Sequence, residues 1–287
     1  IPDRAITLRG ALDELSQPAS SIDGGKGRAI VLEDIMESVT LEHLVISGQD
    51  ANNGGGAYIY RSNPSFSNCR FVDCSADGAG TYDGGGAVYI YAQSPTNRPT
   101  FEGCVFTDNS AHKGGAIGYR SASGPYDYSA SITKCIFQDN TANYGGAICT
   151  IYITNLGVDI DQCVFFDNTA VIDGSAIAYT SVISTSIRNS AFCGLEPIIS
   201  GSWEDLGGNC FSETCEDLDG DMIPDGCDDS VDEGCTADTD GDGVVGVLDL
   251  LKIIEDWGTP DSDLNGDGTT DVLDLLQVIE QWGPCIP

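Results

Sequence analysis

Asp238, Asp240, Asp242 and Asp249 stand at positions 1, 3, 5 and 12 of one twelve-residue stretch, with Gly243 at position 6 and Val244 and Val245 at 7 and 8. The pattern recurs 25 residues later as Asp263, Asn265, Asp267, Thr269, Asp271 and Asp274, with Gly268 at position 6. The side chains are hard oxygen donors, and Val244 and Thr269 would add main-chain carbonyls. A Ca2+ ion takes six to eight oxygens, and this spacing wraps a single chain around it while glycine makes the sharp turn. A third acidic run, Asp217, Asp219, Asp221, Asp225 and Asp228, has the same opening cadence with Met222 in the glycine position. It is a further candidate site.

The charge distribution agrees. The chain of 287 residues carries a formal net charge of −33, and residues 216–287 hold 21 Asp/Glu against Lys252 alone. Carboxylates this dense repel one another unless a cation neutralises them. The same charge opposes binding to nucleic acid or anionic membrane surfaces, which require a basic footprint.

Each loop runs into the same amphipathic stretch, Leu250–Trp257 and Leu275–Trp282, ending in Trp-Gly. Over about residues 236–285 the pair resembles a dockerin, in particular the bacterial type ending in Trp-Gly-Pro-Cys, here Trp282-Gly283-Pro284-Cys285. The resemblance implies two calcium loops on helices and docking on a cohesin or anchoring to a cell surface. Val247-Leu248 and Val272-Leu273 depart from it, being apolar where many cohesin-binding dockerins have Ser or Thr. The run at 217–228, with Cys227 inside it, is similar to a thrombospondin type 3 calcium repeat.

The rest of the chain is built on a repeat. Apolar-x-x-Cys-x-Phe occurs as Phe66–Cys69–Phe71, Phe101–Cys104–Phe106, Ile132–Cys135–Phe137 and Ile160–Cys163–Phe165. Degenerate copies are Leu41–Leu44–Ile46 and Ile187–Ser190–Phe192, and Cys74, Asn109, Asn140 and Asn168 follow the cysteines at a fixed distance. Gly-Gly-Ala, ending at Ala57, Ala87, Ala116 and Ala147, and Gly-Ser-Ala, ending at Ala176, alternate with these motifs. A period near 30 residues with short β-rich runs predicts one coil of three strands per repeat. Stacking coils about 4.8 Å apart predicts a column of Phe71, Phe106, Phe137, Phe165 and Phe192, a column of cysteines, and an amide ladder. The paired motifs, Gly114-Gly115-Ala116-Ile117 with Phe106-Thr107-Asp108-Asn109 and Gly145-Gly146-Ala147-Ile148 with Phe137-Gln138-Asp139-Asn140, resemble the polymorphic outer-membrane protein repeats over about residues 40–200. That resemblance implies a right-handed parallel β-helix of a kind frequent in adhesins and surface proteins.

The expected organisation is therefore an all-β solenoid over 1–205, a Cys-rich acidic calcium-binding linker over 206–235, and a small α-helical two-loop calcium module over 236–287. Twelve cysteines suit an oxidising, extracytoplasmic compartment. Cys69, Cys104, Cys135 and Cys163 are expected as buried thiols; Cys193, Cys210, Cys215, Cys227, Cys235 and Cys285 as disulfides, with Cys235 expected to join Cys285. No run of 18 apolar residues exists to span a membrane. Ile1 begins in mature-looking sequence, so a leader is expected outside this chain, and Ile6-Thr7-Leu8 already reads as a strand whose edge could pair with another chain.

Two functional readings follow. One is a secreted structural or adhesive surface protein, anchored or self-assembled, even into filaments, through its calcium module or its solenoid ends. The other is a carbohydrate-active enzyme or glycan-binding module with the same anchor. Asp73, Asp108, Asp139 and Asp167 are the candidate carboxylates for catalysis, yet one per coil at a constant place is the pattern of a structural turn. Arg61, Arg70, Lys113, Arg120, Lys134 and Arg188 share no register that would supply a base, and His112 with Lys113 is expected as a solvated turn. The expectation is a non-enzyme.

Overall fold

The computed structural model describes residues 5–35, 38–93, 98–121, 128–151, 156–179, 185–194, 197–215, 217, 223–227, 237–240 and 244–284. The chain divides into two compact units, one comprising Ile1–Cys215 with Met222–Cys227, the other Glu216–Asp221 with Asp228–Pro287.

The first unit is a parallel β-solenoid. Three long sheets of eight, eight and seven strands run along it, each built from one strand per coil. One coil illustrates the course: Pro64–Ser67 lies in the first sheet, Arg70–Val72 in the second and Val88–Ala92 in the third. Strands pair only with the equivalent strands of neighbouring coils, in parallel and mostly in strict register, as in Phe101 with Ile132 and Phe106 with Phe137. A fourth, four-stranded sheet, which the repeat alone did not indicate, occupies Ser75–Ala76, Ser110–Lys113, Thr141–Tyr144 and Thr169–Asp173. It lies between the Asn turn and the Gly-Gly turn of each coil, filling the short segments 110–113 and 141–144 completely.

The interior is a set of columns. Phe71, Phe106, Phe137, Phe165 and Phe192 stack face to face with centroids 4.6–4.9 Å apart, and Phe211 extends the column by a further 5.0 Å. Offset stacking at this spacing adds aromatic attraction to the burial of each ring. Parallel pairing therefore continues to Cys210–Ser212, beyond the fading of the sequence repeat near 195–199. Cys69, Cys104, Cys135 and Cys163 are buried, and each thiol lies 3.4–3.6 Å from a carbonyl of the preceding coil: Leu41, Phe66, Phe101 and Ile132 in turn. Ser190 takes over the column where cysteine is lost, its Oγ accepting from the Cys163 N–H.

At the turn after the second sheet, Asn109 and Asn140 each donate Nδ2 and backbone N–H to the amide oxygen of the next coil's asparagine, and the Cys74 N–H reaches Asn109 in the same way. The Nδ2 groups of Asn109, Asn140 and Asn168 also donate to the carbonyls of Phe71, Phe106 and Phe137. The buried side-chain amides of Asn109 and Asn140 thus each use both N–H donors, as burial of a polar group requires.

One register differs from the expectation that Ala57 lies over Ala87. Ala57 pairs with Val88, and Val88 with Ile117. Gly54, with φ +60°, is the equivalent of Gly85, Gly114, Gly145 and Gly174, all left-handed at +61° to +65°. Gly56 then occupies the alanine position, where an added Cβ would come within 3.0 Å of the Cys74 sulfur and 3.1 Å of the Phe71 ring. This coil has no room for alanine there, so the three consecutive glycines slide by one residue.

The second unit contains α1 (Val247–Glu255) and α2 (Val272–Glu280), with a core of Ala237, Val245, Ile253 and Val278 flanked by Leu250, Leu264 and Leu275.

Candidate cation-binding loops

The two helices of the second unit begin alike because their third residues, Asp249 and Asp274, cap them. Asp249 accepts hydrogen bonds from the backbone N–H groups of Thr239 (2.7 Å), Asp240 (3.2 Å) and Gly246 (2.7 Å). Asp274 accepts from Leu264 (2.8 Å), Asn265 (3.1 Å) and Asp271 (2.6 Å), the same three offsets in the second copy. Both carboxylates are buried. Burial alone opposes ionisation, but the backbone donors outweigh it and hold both groups below the usual carboxylate range.

The repeats are also tied to each other by exchange. Val244–Val245, in the first loop, pairs antiparallel with Gly283–Pro284, the exit of the second repeat. Thr270, in the second loop, hydrogen-bonds with Gly258 and Thr259, the exit of the first. At the helix ends, Gln281 accepts from the Ala237 N–H, and Asp256 accepts from Ser262 Oγ at the corresponding place. The Trp-Gly endings therefore mark the crossing points of two interlocked copies.

In the first loop Asp238, Asp240 and Asp249 bring carboxylate oxygens within 4.8 Å of one another. Val244 lies in the short strand with its side chain exposed. In the second loop Asp263 receives the N–H groups of Asp267 and Gly268, Asn265 Oδ1 that of Asp267, and Asp267 that of Thr269. Gly268 has φ +96°, a conformation a side chain rarely adopts. Asp271 caps α2 by accepting from the Leu273 N–H. The donor set consists of hard oxygens on a tight turn, which fits Ca2+ and offers no nitrogen or sulfur for a softer metal.

Asp242 lies outside the described residues. So do Asp219, Asp221 and Asp228 of the third run, leaving Asp217 and the backbone of Asp225, which lies in the 3-10 turn Asp225–Cys227. Cys235 and Cys285 are likewise outside them. The other four loop cysteines form two disulfides, Cys193–Cys215 and Cys210–Cys227.

On the solenoid, Asp73, Asp108, Asp139 and Asp167 all adopt left-handed φ values of 49–56° at the bend before the Asn ladder. Asp and Asn tolerate that conformation better than other side-chain-bearing residues. Burial, then the charges of Asp108 and Asp167, raises the Asp139 pKa. Arg61 and Arg188 pair with Asp34 and Asp161.

Sequence reasoning missed the outer face of the third sheet. There Tyr58 stacks on Tyr89 at 5.8 Å, Tyr60 lies 5.4 Å from Tyr91, and the Arg120 guanidinium sits 3.8 Å and 4.4 Å from the Tyr82 and Tyr91 rings. The signal was available in Tyr58-Ile59-Tyr60 and Tyr89-Ile90-Tyr91, whose period-two alternation turns isoleucine inward and tyrosine outward. Cys149 lies on the same face, clustered with Tyr89, Tyr58 and Tyr91, its thiol pushed up to about 12 by burial.

Stacked parallel coils with inward aromatic and amide columns define a β-solenoid protein. Residues 19–192 match the family model described as right handed beta helix region, and the chain belongs to that family. No curated protein and no solved structure matches the chain. No helix among the described residues is long and apolar enough to cross a membrane.

Proposed function

We propose that this is a secreted, calcium-dependent structural or adhesive protein: a right-handed β-helix of polymorphic outer-membrane protein-like repeats, anchored or self-assembled through a dockerin-like two-loop module. The observation that carries the calcium reading is the matched pair of buried carboxylates, Asp249 and Asp274, each closing an oxygen-rich loop. Lys252, the one basic residue over 216–287, is engaged by Asp256 at 2.8 Å. Backbone donors hold Asp249 and Asp274 ionised, and a divalent cation is the partner that these carboxylates and the other loop oxygens accept.

Two disulfides favour an oxidising compartment outside the cytoplasm. A non-catalytic role is favoured by the four solenoid aspartates, which repeat as turn residues coil after coil. Isothermal titration calorimetry of calcium-stripped protein tests the reading. Two Ca2+ equivalents are expected to bind at the loops of the helical module, falling to one in Asp249→Asn or Asp274→Asn. Retention of full stoichiometry in both variants refutes it.

A further inference from the structure

We propose that a pocket on the solenoid binds a small molecule carrying one carboxylate on a ring body. The pocket has a volume of about 410 Å3 and lies between the 79–81 loop and the fourth sheet, lined by Gly80, Thr81, His112, Lys113, Tyr144 and Ile151. Its lining includes a lysine and a histidine and no acid, in a chain of net charge −33. That local reversal of sign selects an anionic ligand.

The donors are placed for one. An ammonium group has three N–H donors. Lys113 Nζ donates to the carbonyls of Gly80 (3.3 Å) and Thr81 (3.0 Å). Among the described residues it meets no carboxylate at ion-pair distance, so one N–H remains for a ligand. His112 Nδ1 lies 2.9 Å from Asn143 Nδ2. With the Asn143 amide in this orientation its nitrogen donates, Nδ1 accepts, and the imidazole proton stands on Nε2 as a second donor. Burial first, then the charge of Lys113, lowers the His112 pKa and keeps the ring neutral. Asp83, the acid whose charge reaches His112, is tied down within its own loop and to Asn53, accepting from Gly80 N–H (2.9 Å) and Asn53 Nδ2 (3.2 Å).

The lining also offers an aromatic ring and an aliphatic side chain. The Tyr144 ring meets His112 edge-on at 6.0 Å, and Ile151 is fully buried at the floor. Two N–H donors beside an aromatic wall match a carboxylate projecting from a ring, and the volume suits one or two rings. The site uses no residue of the helical module, so it stands independently of calcium.

Titration calorimetry of the full chain, with benzoate, D-glucuronate, benzamide and D-glucose as probes, tests the assignment. At least one acid is expected to bind roughly ten-fold or more tightly than its neutral counterpart, and the preferred acid tells an aromatic body from a sugar body. Lys113→Met should abolish that preference and Lys113→Arg should retain most of it, with far-ultraviolet circular dichroism verifying the fold of each. Addition of a calcium chelator should leave the affinity unchanged, which separates failure here from failure of the calcium reading. Neither acid binding at about 10 mM, neutral probes binding as tightly as acids, or full affinity in Lys113→Met would each overturn the proposal.

Discussion

The two units solve the problem of burying polar groups in opposite ways. In the solenoid, the buried amides of Asn109 and Asn140 each donate to the asparagine of the coil beside them, a neutral ladder that forms without a ligand. In the helical unit, the core comprises four fully buried apolar residues, and two ionised carboxylates, Asp249 and Asp274, are buried with them. A neutral ladder can be extended by adding coils. A buried charge has no such propagating partner, which is why the second architecture appears as a closed pair of interlocked repeats and the first as a stack. The apolar faces of the helices follow the same division. Val247, Leu248, Leu251 and Ile254, and their equivalents Val272, Leu273, Leu276 and Ile279, are exposed, whereas the solenoid's phenylalanine column stacks inward.

The largest effect should come from removing calcium, because it strikes one unit and spares the other. Chelation is expected to abolish the helical signal of residues 215–287 in circular dichroism while leaving the solenoid's β signal in place. At a free Ca2+ concentration one hundred times Kd, each site contributes about 2.7 kcal/mol, a large share of what so small a core can supply. Acid should mimic the chelator. Asp249 and Asp274 have folded pKa values below their unfolded ones, so their stabilisation is present above about pH 4 and is lost as pH falls through the lower, folded value. A helical signal that survives chelation at neutral pH would erase the contrast between the units.

The middle of the scale tests the solenoid's own closure. Asn140→Ala removes the oxygen that receives both the N–H and Nδ2 of Asn109, and the Nδ2 that reaches the Phe106 carbonyl. Stranding buried donors and opening a cavity should cost about 2–4 kcal/mol, read as a lowered denaturation midpoint of the solenoid transition with the helical transition unmoved. Equal shifts in both transitions would mean that the units unfold as one.

The contrast also explains what was legible in the sequence. A solenoid writes its contacts at constant spacing, so the phenylalanine column, the buried thiols and the amide ladder follow from counting residues. Counting failed at Gly54-Gly55-Gly56-Ala57, where matching letters favoured Ala57 over Ala87. The coil obeys the left-handed turn at Gly54 and the bulk of Cys74 instead. The fourth sheet was hidden because His112 and Asn143 lie in it with polar, turn-like neighbours. In the helical unit the candidate liganding positions are spelled out by the 25-residue repeat. The exchange of Trp-Gly exits is not, because which copy an exit pairs with is decided by the antiparallel closure of Val244–Val245 on Gly283–Pro284, a contact with no periodic signature.

The smallest expected effect concerns the carboxylates that the solenoid does not need. Asp108, Asp139 and Asp167 lie on successive coils, all left-handed, and the central one is raised in pKa by burial and by both neighbours. A raised carboxyl prefers its neutral form in the folded state, so its ionisation weakens the fold as pH climbs past the unfolded value toward and through the folded one. Asp139→Asn keeps a side chain that tolerates φ +54° and removes the charge. Since Asp139 is exposed, solvent screens the repulsion, and the gain at pH 7 should be on the order of a few tenths of a kcal/mol. The gain should vanish near pH 3, where the native carboxyl is already protonated, and shrink in high salt. Paired denaturant melts of the two proteins at pH 3 and pH 7 measure it. A destabilised Asp139→Asn at pH 7 would show that this charge is wanted, as a cation ligand on the turn would be, and the solenoid would then share with the helical unit the dependence that now separates them.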